Sequence, residues 1–153
     1  MNIVKRLDQY KETSIYFCEP IKNNVMNEGN FIRILYSNPI FVLNGIYLVF
    51  AINIISIEKY YNKYKCNFDL NYHRETIEKI RQIEENLLKK VNIRNKNPQF
   101  KITEQLRNGN LKIFTDNVEK INNNCSFLLK ISGIWETESS YGVTYKFIKM
   151  VDA

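Results

Sequence analysis

Residues 127–150 read FLLKISGIWETESSYGVTYKFIKM. Apolar side chains alternate with other types over 127–135, the period of a strand covered on one face. The polar run 136–140 turns the chain. Alternation resumes over 141–150 and predicts an antiparallel return strand. Strand parity groups Trp135 with Phe127, Leu129 and Ile131, which favours burial of its ring. A bulge at Gly133 would reverse that grouping.

Outward from this hairpin the same period recurs. Residues 13–19 predict a strand stopped by Pro20. Residues 31–36 predict another, with Ile32, Ile34 and Tyr36 on one face and Phe31, Arg33 and Leu35 on the other. Residues 41–50 predict a third, and Gly45 inside it marks a bulge or bend. Segments 53–59, 64–70 and 111–115 follow, the last with Lys112 and Phe114 on its second face. Loops are expected over 23–30, 92–99 and 122–124, and a turn at Ser37-Asn38-Pro39.

One segment changes period. Between residues 72 and 91 the apolar positions are Ile77, Ile80, Ile83, Leu87, Leu88 and Val91, the stripe of a helix. Glu75, Glu78, Glu84 and Glu85 with Lys79, Arg81, Lys89 and Lys90 are expected on its outside, acid early and base late as the helix dipole favours. Residues 102–107 predict a short helix stopped by Asn108-Gly109. Short strands with a helix inserted before the last of them predict a mainly β chain with an inserted helix. The expected architecture is a partly open antiparallel β-barrel, one domain over 1–153. A doubly wound α/β sheet fits worse, because strands do not alternate with helices.

The composition suits a packed domain: 44% of 153 residues are hydrophobic, too many for a disordered tail and enough for one core. The apolar run 40–57 is interrupted by Asn44, Gly45, Asn53 and Ser56, so it reads as buried strands and no membrane is expected. Cys18, Cys66 and Cys125 are far apart and lack metal-ligand spacing. They read as free thiols in a reducing, intracellular compartment. Lys5, Arg6 and Asp8 do not fit a signal peptide. His73 is the only histidine, expected as an ordinary polar residue at the helix start, so neither a metal nor a cofactor is expected. Asn and Ile each occur 21 times, as an AT-rich coding sequence of a virus, plasmid or parasite would give.

Net charge is +6, and it is regional. Residues 59–112 hold 13 basic and 6 acidic side chains, a net of +7, and the remainder nets −1. A one-sided positive field suits a polyanion. The alternative is a solvated face that serves solubility.

No phosphate-binding loop, dinucleotide fingerprint or nucleophile elbow is present. Glu136 and Glu138 share one side of an extended segment, yet acids in a turn are expected to be solvated. No nucleophile has a plausible base, so a non-catalytic role is expected. The positive signal is aromatic residues interleaved with bases on strands. Phe31 pairs with Arg33, Lys112 with Phe114, Lys130 precedes Trp135, and Tyr145 adjoins Lys146. Single-stranded nucleic acid is bound this way, each stacked base contributing about 1–3 kcal/mol while Lys or Arg follows the phosphates. The alternative for each ring is a place in the core.

Two stretches carry a resemblance: FIRILYS (31–37) with LNGIYL (43–48), and LKISGIWET (129–137) with YGVTYKF (141–147). They resemble the OB-fold single-stranded-DNA-binding proteins of DNA viruses and phages, in which a terminal hairpin of this form closes the barrel. The resemblance implies an OB-like barrel that binds single strands, DNA in preference, during viral DNA replication. It also implies replication proteins as partners inside an infected cell, with an oligomer compatible. A viral interaction protein that binds a host or viral protein through its sheet is the alternative. A small enzyme or nuclease subunit is the third reading.

Overall fold

A computed structural model describes residues 4–22, 29–37, 42–114 and 124–150. The chain opens with β1 (Lys5–Arg6), two 3-10 turns at Leu7–Gln9 and Glu12–Ser14, β2 (Ile15–Phe17) and β3 (Ile21–Lys22). It continues through β4 (Asn30–Ser37), β5 (Val42–Leu43), β6 (Ile46–Asn53), β7 (Ser56–Tyr60) and β8 (Lys63–Asn67). Helix α1 (Arg74–Lys90), β9 (Asn97–Gln99) and α2 (Lys101–Arg107) follow, then β10 (Asn110–Phe114), β11 (Asn124–Glu136) and β12 (Ser140–Lys149). The loop expected at 23–28, the turn at Asn38-Pro39 and the loop at Asn122-Asn123 lie outside the described residues.

The described strands join one sheet, ordered β1-β6-β11-β12-β10-β8-β7, with β4 on β11 and carrying β2, β3 and β5. β11 is its axis. One edge pairs with β12 along most of its length; the other pairs with β6 up to Ile131 and with β4 from Gly133 onward. The sheet is open and mixed: its pairings are mainly antiparallel, as expected, but β1–β6, β10–β12 and β9–β12 run parallel. For the last two the cause is a crossover: β9 and β10 both lie parallel to β12, and α2 supplies the return path that parallel strands need.

The hairpin at 127–150 forms with one correction. Pairing of β11 with β12 shifts between Ile131 and Gly133, where Ser132 is the extra residue of a bulge. Before it Phe127, Leu129 and Ile131 are buried; after it Ile134 is buried and Trp135 is half-buried. An extra residue swaps the faces of everything beyond it. Trp135 therefore lies opposite the core, not within it as alternation alone predicts.

The strand expected over 13–19 is confined to Ile15–Phe17, because Glu12–Ser14 form a 3-10 turn. The strand expected over 41–50 is split at Gly45, whose φ of 116° suits glycine. Residues 97–99, expected as loop, add β9 to the sheet.

The inner face of the sheet packs beneath α1 and α2. Ile77, Ile80, Ile83, Leu87 and Leu88 are buried on α1, as the stripe predicts. Each such aliphatic side chain contributes about 1.5–3 kcal/mol when fully buried. Glu84, expected on the outside, is fully buried. Its carboxylate accepts from the backbone N–H groups of Ile102 and Thr103, both at 2.9 Å, and from the Thr103 hydroxyl at 2.7 Å. These are otherwise orphaned donors of the first turn of α2, so α1 caps α2 across the interhelical contact. His73 immediately precedes α1, where it was expected, but is buried, and its Nε2 accepts from the Asn53 N–H at 3.0 Å.

Candidate nucleic-acid interface

Cross-strand register fixes which side chains share the outer face. Lys130 of β11 stands opposite Lys146 of β12 and Tyr47 of β6. Lys112 of β10 stands opposite Lys65 of β8. The bridge between Ile113 and Phe147 sets Lys112 level with Lys146. Lys65, Lys112, Lys146 and Lys130 thus form a row across four adjacent strands, perpendicular to them. With strands about 4.8 Å apart, the row spans about 15 Å. Glu58, 3.5 Å from Lys65, ends it.

Rings flank the row on both sides. Toward the end of β11, Trp135 stands opposite Phe31, and Arg33 stands opposite Gly133. Both rings lie over glycines. A Cβ at Gly133 would fall 2.6 Å from Cζ of Phe31, and one at Gly142 would fall 2.6 Å from Cζ2 of Trp135. Without those β-carbons the rings rest close on the backbone and remain half-exposed. At the other end Phe114 is 57% exposed, and Lys63 Nζ stands 5.2 Å from its ring centroid. Lys130 Nζ similarly stands 5.8 Å from the Tyr47 centroid.

Seven of the eight side chains singled out in the sequence, namely Phe31, Arg33, Lys112, Phe114, Lys130, Trp135 and Lys146, share this face. Tyr145 does not. It stands opposite buried Ile131, its ring meets Phe147 edge-on, and its hydroxyl donates to Oε1 of Gln105 at 2.9 Å. Burial, helped by Glu84 and Glu104, pushes its phenol up to about 12. It anchors α2 to the sheet.

Sequence reasoning missed Lys65, Lys63, Tyr60 and Tyr47. Tyr60 is 53% exposed and shares its level with Lys63 and Phe114. The clue was the run Lys59-Tyr-Tyr-Asn-Lys63, bases bracketing rings.

The regional charge resolves accordingly. On α1, Lys79 pairs with Glu75, Arg81 with Glu78 and Glu85, and Lys89 with Glu85. Lys96 pairs with Glu136 at 3.0 Å. Hydrogen bonds from Asn30 and Lys96 hold the Glu136 carboxyl below its ordinary range. Glu136 is thus engaged by a base, while Glu138 is exposed. Among the described residues no three His, Cys, Asp or Glu cluster as a metal site would require. Among them, too, no helix is long and apolar enough to cross a membrane.

No protein-family model, curated protein or solved structure matches this chain.

Proposed function

We propose that the outer face binds single-stranded nucleic acid, DNA in preference, as a non-catalytic coat for exposed strands during viral replication. The observation that carries this reading is the lysine row. Lys65 faces Lys112 and Lys130 faces Lys146, two like-charge pairs at directly opposed positions. Such pairs destabilise a sheet. A bound chain of phosphates converts the repulsion into attraction. The rings of Phe31, Trp135 and Phe114 on the same face supply stacking surfaces for bases.

The OB-like reading of the sheet belongs to the same proposal. Two features support it: β11 exchanges β6 for β4 at its bulge, and α1 precedes the last long strands.

The test is fluorescence anisotropy with one sequence as single strand and as duplex, at two salt concentrations. Tighter binding to the single strand, weakening steeply with salt, is expected. Absence of single-strand binding at low salt, or affinity indifferent to salt, overturns the reading and favours a protein partner for this face.

A further inference from the structure

The β7–β8 hairpin turns through two residues, Tyr61 and Asn62, between the paired Tyr60 and Lys63. Two-residue hairpin turns demand positive φ, and so favour Gly, Asn or Asp. Here Tyr61 adopts φ 51°, and its side chain is 97% exposed. A bulky residue in the left-handed region is an outlier, and this ring gains no packing in exchange. Strain kept at an exposed aromatic residue points to a use outside the fold.

The surroundings specify that use. A cavity of about 330 Å³ opens among Tyr60, Tyr61, Asn62, Lys63, Lys65 and Lys112. Three lysines there suit phosphate, and two exposed rings suit a flat heterocycle. A bare anion would leave the rings idle, and an apolar peptide would bring no counter-charge to Lys63 and Lys112, while Lys65 already has Glu58. A nucleotide uses both.

We propose that the hairpin tip is a nucleobase clamp: Tyr61 covers a base seated against Tyr60, while Lys63, Lys65 and Lys112 hold the flanking phosphates. The clamp rests on the single-strand reading of the sheet and adds a discrete site for one nucleotide at its β7–β8 end.

The informative variant is Tyr61→Gly, because glycine suits the left-handed turn. Its melting temperature should hold or rise. Two probes are titrated by anisotropy against the full chain: oligothymidylate, and a strand of equal length without bases. Tyr61→Gly should weaken oligothymidylate binding about tenfold, leave binding of the abasic strand at the parent's level, and be rescued by Tyr61→Phe. If the parent binds oligothymidylate and Tyr61→Gly binds it equally well, the clamp is overturned and the single-strand reading stands. An equal loss on both probes also overturns the clamp, because the ring then acts without a base. A parent that binds neither probe overturns both readings.

Discussion

Lys146 faces Lys130 across two central strands, and an opposed like-charge pair costs a sheet some tenths of a kcal/mol to about 1 kcal/mol. Lys146→Thr is therefore expected to hold or slightly raise stability in urea denaturation while weakening single-strand affinity. Its log–log salt slope should become shallower by about 0.7, one phosphate contact fewer. Phe114→Ala is expected to lose about 1–3 kcal/mol of affinity with its melting curve unchanged, since the ring is largely solvated. If this variant unfolds, Phe114 belongs to the core and the stacking role fails. Gly133→Ala tests the opposite end of the face. Its methyl group would press on the Ile32 carbonyl and the Phe31 ring. A loss of about 1–3 kcal/mol in folding stability is expected, together with a displaced Phe31 ring.

At the scale of elements, α2 is seven residues long and depends on a neighbour for its first turn. Glu84→Gln replaces an acceptor-only carboxylate with an amide that can face those N–H groups with only one oxygen. It is expected to cost about 2–3 kcal/mol in denaturant unfolding. The junction before α1 carries a pH dependence. His73 accepts from Asn53 only as neutral imidazole, and burial lowers its pKa despite the opposing pull of Asp69. The unfolded chain therefore takes up the proton first. The contribution of His73 is complete above about 6.5 and declines as pH falls below that value toward the depressed native one. Melting curves from pH 7.5 to 5 check this, with His73→Gln expected to flatten the trend. Long elements were legible in the sequence because their signals are local: the α1 stripe and the alternation of β4, β6 and β12 need no knowledge of partners. Three features were not. Ser132 looks like any paired residue until its neighbours on β12 are known. β9 is three residues containing Pro98, too short for a period to register. Glu84 falls on the apolar stripe by spacing, four residues from Ile80 and from Leu88, but its charge argued for solvent; it is buried because α2 needs its oxygens. Within the candidate site, parity alone grouped Phe31 with Arg33 and Lys112 with Phe114. Bringing Trp135 to them took the bulge, whereas alternation by itself separates Tyr145 from its neighbour Lys146.

For the whole molecule, the four-lysine row plus Arg33 offers five phosphate contacts. At about −0.7 per contact, the expected log–log salt slope is roughly −3.5. Anisotropy at four or more salt concentrations measures it, and a slope near zero excludes this face as the contact surface. The central position of β11 has a further consequence, for biosynthesis. β4 and β6 are complete by Asn53, yet the strand both pair with begins at Asn124. At roughly 5–20 residues per second, several seconds of translation separate them. Through that interval the apolar side of β6 has no central strand to rest on, and long-range pairing of this kind is slow even in the finished chain. Ribosome-bound chains truncated before Asn124 are expected to be cut rapidly by a protease that spares the released full-length protein. The nascent N-terminal half is thus expected to keep apolar surface open to solvent until the last hairpin emerges and gives the first strands their place.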